Sequence, residues 1–386
     1  MIFQALGKLR GSGPMRFNLA EASGAMGDLG TFIPLTISLV TLCRLDLVSV
    51  LFFAGLYNIL TGVLFNQPVP VQPMKAIAAV AIAETLSPGS IAAAGLGAGA
   101  VVFFLGVTGL IQVVERWVPH PVVRGIQLGV GLKLLVKGIA MIHATPWGAL
   151  DGPLLAAAAA ALIIATARAS LFPSALVVFT AGIGVMVLAR PEIFSGLTPG
   201  WPGLSLTLPA AAEWGEGLLR GTVPQLPLTI LNSVIAVCAL SGDLYPGRGI
   251  GTRPMALSVG LMNLTGCWFG AMPMCHGAGG LAGQHRFGAR TGGSVVMLGA
   301  AKIGVALLLG SGAAALLAAY PMSILGVLLC FAGVELSLPA RDCRTRERFF
   351  LAVITAGGCL GFNTAVGFAL GIAAALLLRL FRGKDG

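Results

Sequence analysis

Charged residues are scarce in this chain, since only 10% of its 386 residues are Asp, Glu, Lys or Arg. Soluble domains contain about a quarter charged residues, so a large soluble domain is excluded. The sequence patterns of common catalytic sites are also missing, including HExxH, a Walker A loop and paired catalytic carboxylates. The seven cysteines form no CxxC pair, which argues against a metal or redox centre. The sequence therefore predicts no enzyme, no cofactor and no bound metal.

Apolar residues are abundant instead, at 56% of the chain, and they cluster in long runs. Runs of about twenty apolar residues match the thickness of a hydrocarbon core. The pattern predicts an all-α polytopic membrane protein with about fourteen transmembrane segments. No cleavable signal peptide is evident, so the first segment is expected to anchor the chain. The predicted segment cores are 18–42, 46–65, 70–86, 91–113, 120–140, 153–169, 171–189, 222–241, 254–270, 274–286, 292–310, 314–334, 347–362 and 364–381.

The net charge of +10 is placed in a way that suits a membrane protein. With the N-terminus in the cytoplasm, most of the 24 lysines and arginines fall on the cytoplasmic side. This is the positive-inside bias, and it predicts that both termini are cytoplasmic. The basic charge then needs no nucleic-acid partner. We expect the lipid bilayer itself as the environment, in a bacterial inner (plasma) membrane.

The two halves of the chain share landmarks in the same order. The string Pro-Leu-Thr-Ile occurs at 34–37 and again at 227–230, and Pro-Met pairs follow at 73–74 and 273–274. These matches predict two inverted seven-segment repeats, the arrangement common in secondary transporters. Their predicted extents are 1–191 and 221–386, with an interfacial connector at 192–220. Chance recurrence in a biased composition is the alternative.

The third and tenth segments are predicted to be broken. Three prolines, Pro68, Pro70 and Pro73, stand within six residues, which no α-helix accommodates. Met74 to Glu84 is a good helix former, so extended backbone is expected to run into a helix N-terminus. Pro273 and the glycine-rich residues 277–283 repeat this arrangement in the tenth segment. Such backbone survives within a bilayer only where it lines a cavity or is buried in protein.

The charges at these two breaks favour an anion. Each helix N-terminus contributes roughly half a positive charge, and Lys75 adds one more, so the sum is about +2. That sum matches a tetrahedral dianion. A lysine that extends toward the membrane interface is the alternative for Lys75.

Other polar residues inside the predicted segments complete the candidate site. Asp28 is expected to couple protons or to pair with a lysine, and Glu21, Glu84 and Glu335 are weaker candidates of this kind. A polar stripe in the eighth segment lines either a site or a helix interface. The string 242–244, Gly-Asp-Leu, is interpreted as a cytoplasmic loop. The candidate substrate-binding residues are Thr31, Gln72, Met74, Lys75, Gln225, Thr229, Asn232, Ser233, Cys275, His276, Gly277, Ala278, Gly279 and Gly280.

The strings 27–31, 67–84 and 273–283 together resemble the molybdate transporter family, which is related to the sulfate permeases. The likeness covers nearly the whole chain. It implies seven plus seven inverted helices, an anion held between the third and tenth segments, and a core domain that moves against a gate domain. Sulfate permeases carry a cytoplasmic regulatory domain after the last segment, whereas this chain ends at Gly386. The likeness is therefore expected to lie with the molybdate branch.

The predicted function is secondary active transport of a tetrahedral oxyanion, with molybdate as the first candidate. A coupling proton is predicted as a second transported ion. A carrier of sulfate or of a nucleobase with the same fold is one alternative. An anion channel, or a receptor without transport, is another. The sequence leaves open the choice between molybdate, tungstate and sulfate, the coupling ion, the direction of transport, and the oligomeric state, with a homodimer among the options.

Overall fold

A computed structural model describes residues 13–167, 172–203 and 206–382 of the chain. These residues are predominantly helical, and two short strands interrupt the helices. The helices are α1 (Leu19–Cys43), α2 (Leu47–Phe65), α3 (Lys75–Glu84), α4 (Pro88–Thr108), α5 (Leu110–Trp117), α6 (His120–His143), α7 (Pro153–Ala165), α8 (Ser174–Ala189), α9 (Ala211–Leu244), α10 (Thr252–Gly266), α11 (Ala278–Arg286), α12 (Gly293–Ala318), α13 (Met322–Asp342), α14 (Arg346–Gly361) and α15 (Thr364–Arg382).

Seven helices in the described part of the chain are long and apolar enough to cross a membrane, namely α1, α2, α4, α6, α9, α12 and α13. Shorter apolar helices are α7, α8 and most of α15. The prediction of a helical membrane protein is confirmed. The predicted junction between the sixth and seventh segments, at 169–171, lies outside the described residues.

The extended backbone predicted at the two proline-rich breaks is present. Strand β1 (Val71–Pro73) leads into α3, and strand β2 (Met274–His276) leads into α11. Met74 and Gly277 are the N-cap residues of these helices, and both have extended backbone conformations. Proline removes the donors that a continuous helix would need, so each helix can start only after its proline.

The interfacial connector 192–220 stays a prediction, although helix α9 begins at Ala211, inside its predicted bounds. Glu213 and Glu216 of this segment accept hydrogen bonds from Ser87 (2.5 Å) and Ser90 (2.6 Å) at the start of α4. These bonds fix the first turns of α9 against α4. The string 242–244 was expected to be a loop, but it forms the last turn of α9. In that turn, Asp243 forms an ion pair with Arg124 of α6.

The helices can be divided into two bundles. In the strand bundle, α2 packs on α12, α4 packs on α10, and α1, α3, α9 and α11 complete it; the two strands contact α1, α2, α9 and α10. In the outer bundle, α6 packs on α13 and α14, and α7, α8 and α15 complete it. The bundles share extensive contacts, where α13 crosses α11 and α1, where α8 packs on α1, and where α6 passes α9.

Candidate functional site

The centre of the strand bundle is the pairing of β1 with β2. The strands are antiparallel, with Val71 opposite His276 and Pro73 opposite Met274. Because they run in opposite directions, helices α3 and α11 leave the pair in opposite directions too. Each strand is only three residues long, so the two helix N-termini start within about 10 Å of the crossing.

Two asparagines hold this strand pair in place. The Oδ1 atom of Asn58 in α2 accepts a hydrogen bond from the Val71 amide at 2.8 Å. Asn263 in α10 accepts from the Met274 amide at 2.8 Å and donates to the Met274 carbonyl at 2.6 Å. These asparagine side chains therefore supply the hydrogen-bond partners that neighbouring strands would supply in a larger sheet.

The N-terminus of α3 is already capped by a predicted site residue. The Oε1 atom of Gln225 accepts hydrogen bonds from the amides of Ala76 (2.8 Å) and Ile77 (3.2 Å), and its Nε2 atom donates to Thr229 at 2.8 Å. These amides are two of the donors that an anion at this helix end would use. In this structure, Gln225 and Thr229 position α3.

Three further predicted residues are engaged with their neighbours. His276 is fully buried, with Nε2 3.0 Å from the Ser258 hydroxyl and Nδ1 3.3 Å from the Pro70 carbonyl. The hydroxyl of Ser233 donates to the Cys275 sulfur at 3.2 Å. Ser233 and Cys275 thus connect α9 to β2, and His276 fixes β2 beside α10.

Asp28 lies in a buried cluster with Gln72. The Nε2 atom of Gln72 donates to Oδ1 of Asp28, and the Oδ2 atom of Asp28 has no partner among the described residues. Nearby, Lys302 of α12 donates to the Val71 carbonyl at 3.5 Å and places its amine 3.5 Å from the centre of the Phe32 ring. Sequence reasoning did not single out Lys302.

The glycines that begin α11 are closely packed. A β-carbon on Gly277 would lie 2.1 Å from Oε1 of Gln72, and one on Gly280 would lie 2.5 Å from its Nε2 atom. A β-carbon on Gly279 would lie 2.5 Å from Leu134 of the outer bundle. These contacts support a packing role for the glycines rather than direct contact with an anion, since absent side chains are what allow Gln72 and α6 to approach.

A cavity of about 500 Å³ opens where the two bundles meet. The strand bundle contributes three predicted site residues to its wall: Thr31, Lys75 and Asn232. The Oδ1 atom of Asn232 is buried without a partner among the described residues. The matched Pro-Leu-Thr-Ile strings meet here as well, through Leu35 and Leu228.

The outer bundle contributes polar residues that sequence reasoning missed, namely Lys133, Lys137, Asn363 and Thr364. Three lysines thus line one cavity, and its lining residues include no aspartate or glutamate. Lys133 and Lys137 stand four residues apart in an apolar helix and so share a face. Ionisable residues within membrane segments are functional candidates. That rule and the four-residue spacing could have identified Lys133 and Lys137 from the sequence.

Known proteins resemble this chain along most of its length. The family model described as "Molybdate transporter of MFS superfamily" matches residues 20–134 and 217–336, more than half of the chain. Molybdate transporter 2 of Arabidopsis thaliana is 42% identical over 94% of this chain and 87% of its own length. Molybdate transporter 1 of Chlamydomonas reinhardtii is 34% identical over 94% of this chain and 92% of its own length.

Solved structures of SLC26A9, one of them of the murine anion transporter, share the fold at low sequence identity. Two of them align at 12% and 13% identity with TM-scores of 0.62 and 0.64. They cover 94% and 99% of this chain, which spans 65% and 71% of theirs. Because the family model and the two molybdate transporters match most of its length, the chain belongs to the molybdate transporter family. This agrees with the resemblance in its sequence and with the prediction that it is not an enzyme.

Proposed function

We propose that the protein is a secondary active transporter of a tetrahedral oxyanion, with molybdate as the preferred substrate. The observation that carries this proposal is the cavity between the bundles, whose wall holds lysine amines and no carboxylate. A carboxylate-free, cationic wall attracts an anion, repels a cation and offers no carboxylate to the ring N–H groups of a nucleobase. The substrate is named from the curated relatives, which are called molybdate transporters.

The proposed binding residues within this cavity are Lys75, Thr31 and Asn232. Lys75 supplies the charge at the first residue of α3, and the Thr31 hydroxyl and the Asn232 amide supply hydrogen bonds. The other predicted substrate-binding residues form the support behind this wall. Gln225 orients α3, while Gln72, Cys275 and His276 fix the crossing of the strands.

We also propose that the fold consists of two inverted seven-segment repeats whose segments intertwine to build both bundles. The matched positions of Asn58 and Asn263 support this, since each stands in the helix before a strand and holds that strand. The antiparallel pairing of β1 with β2 is what an inverted repeat would produce. The connector between the repeats then ends at 210, where α9 begins.

The membrane setting is proposed in the same way. Both termini are placed on the cytoplasmic face, supported by the bias of lysines and arginines toward that side. The relatives named above are plant and algal proteins, so the bacterial inner membrane stays a prediction. A coupling proton at Asp28 and a homodimer are likewise proposals.

Competition binding on the purified full chain tests this function. Molybdate should bind saturably and be displaced by tungstate, and more weakly by sulfate, whereas uracil should not compete. In proteoliposomes, molybdate uptake should saturate at low substrate concentration. Displacement by uracil would overturn the oxyanion assignment, and uptake that rises linearly with substrate would indicate a channel.

A further inference from the structure

The lysines of the cavity belong to two different bundles. Lys75 is on α3 of the strand bundle, whereas Lys133 and Lys137 are on α6 of the outer bundle. Lys133 donates a hydrogen bond to the Phe362 carbonyl at 3.2 Å, next to Asn363 and Thr364 in the same wall. Among the described residues, none of these three amines takes part in an ion pair.

The positive charge of the cavity exceeds what one substrate ion requires. Three amines carry a formal charge of +3, and this count leaves out the N-terminus of α3, whose amides are capped by Gln225. One tetrahedral dianion at Lys75 neutralises only two of these charges. Ionisable side chains within membrane segments are almost always paired, because an isolated charge there costs several kcal/mol. Lys133 is half-buried and Lys137 is exposed, and an anion beside them would supply the negative partner that neither amine has among the described residues.

The spacing of the two outer lysines suits such an anion. They are one helical turn apart, about 6 Å along the axis of α6. Two lysine side chains that start one turn apart on a helix can direct their amines to different oxygens of one four-oxygen anion. The Asn363 amide and the Thr364 hydroxyl lie in the same wall and add neutral donors.

We propose that Lys133 and Lys137, together with Asn363 and Thr364, form a second oxyanion subsite on the outer bundle, distinct from the subsite at Lys75. Its ligand is the same class of tetrahedral dianion, so this inference rests on the proposed function. An anion captured at the outer subsite lies in the same cavity as Lys75 and can pass to it without leaving that cavity.

The number of molybdate ions bound per chain tests the second subsite. Molybdenum retained by the purified full chain after equilibrium dialysis against molybdate is counted by mass spectrometry. Wild-type protein should retain two ions per chain. The double variant Lys133→Gln and Lys137→Gln should retain one, with the affinity of the remaining ion changed less than threefold. Lys75→Gln should also retain one, held by the outer lysines.

Two controls make each outcome decisive. Arg220→Gln removes an exposed cation that is paired with Glu84 at 2.5 Å, outside the cavity, and should retain two ions. The melting temperature of every variant identifies loss of fold. One ion per wild-type chain, weakened uniformly by the outer substitutions, would overturn the second subsite and leave the proposed function standing. Wild-type protein that retains no molybdate at all would overturn the proposed function itself.

Discussion

The charged residues at the two ends of helix α6 differ in whether they have ion-pair partners within the protein. Near its start, Arg124 is 3% exposed and is bound by Asp243 of the strand bundle and by Asp342 of the outer bundle. Lys133 and Lys137 lie about 14 and 20 Å further along the same helix. They face a cavity that lacks carboxylates. One helix thus carries an ion-paired end and a cavity end.

The difference separates structural charges from those available to a ligand. At the ion-paired end, Arg124 joins the two bundles, and His285 of α11 lies 3.7 Å from Glu335 of α13 as a second link between them. The Arg124 guanidinium therefore already has its counter-ions within the protein. At the cavity end the partner must come from outside. We therefore expect substitutions at the ion-paired end to change stability, and those at the cavity end to change affinity.

Removal of both acids at the ion-paired end should have the largest effect. Asp243→Asn with Asp342→Asn leaves a buried guanidinium without a counter-ion, which costs about 3–5 kcal/mol. Arg124→Met should cost less, because the side chains of Asp243 and Asp342 are 35% and 48% exposed and regain water. Melting temperatures in detergent measure both. A smaller loss in the acid variant than in Arg124→Met would contradict this account of the ion-paired end.

Loss of Lys75 should have the second-largest effect, a decrease in the affinity for molybdate. Lys75→Ala removes a charged hydrogen-bond donor worth about 1.5–3 kcal/mol, so molybdate should bind its subsite at least about tenfold more weakly. Lys75→Arg is not expected to restore binding, because the guanidinium is larger and planar. Titration of the folded protein measures this, with the melting temperature as control. Unchanged affinity in the alanine variant would remove Lys75 from the site.

Gly280→Ala tests whether the glycines of α11 serve packing or ligand contact. The added carbon would press on Nε2 of Gln72 at 2.5 Å and on Oδ1 of Asp28 at 3.0 Å. Stability should fall by about 1–3 kcal/mol, with molybdate affinity retained in the folded fraction. Gly357→Ala in α14 is the matched control, since a β-carbon there would meet nothing within 4 Å. Lost affinity at unchanged stability would restore these glycines to the binding site.

Asp28→Asn should have the smallest effect on binding. Asparagine keeps the oxygen that accepts from Gln72, and Asp28 does not line the cavity. If Asp28 carries the coupling proton, the variant should bind molybdate nearly as well as wild type while its uptake no longer responds to a pH gradient. Uptake into proteoliposomes with and without such a gradient measures this. A fully preserved response would exclude Asp28 as the coupling residue.

Features encoded by local chemistry could be predicted from the sequence. The proline-rich strings require extended backbone before α3 and α11, and the apolar runs require helices. Lys75, Thr31 and Asn232, which the sequence predicts as site residues, all line one cavity, and their role in binding stays a prediction.

What escaped prediction depends on contacts between distant parts of the chain. Gln225 caps α3 across 149 positions of sequence, and Arg124 meets Asp342 across 218. Glu213 and Glu216 lie in the segment predicted as a connector, 192–220. Their partners Ser87 and Ser90 become visible only once α4 and α9 are packed. Lys133 and Lys137 were missed because only the fold brings them into one cavity with Lys75.

The division of the lysines between bundles has an electrical consequence. Any displacement of the strand bundle relative to the outer bundle carries Lys75 along with an anion bound to it. A bare dianion crossing a potential of 100 mV involves about 4.6 kcal/mol of electrical work, at about 2.3 kcal/mol per charge. With the Lys75 charge moving in the same direction, the net charge is −1 and the work falls to about 2.3 kcal/mol. Lys133 and Lys137 stay with α6, so their charges do not enter this sum. The membrane voltage therefore opposes inward movement of the dianion about half as strongly when Lys75 accompanies it.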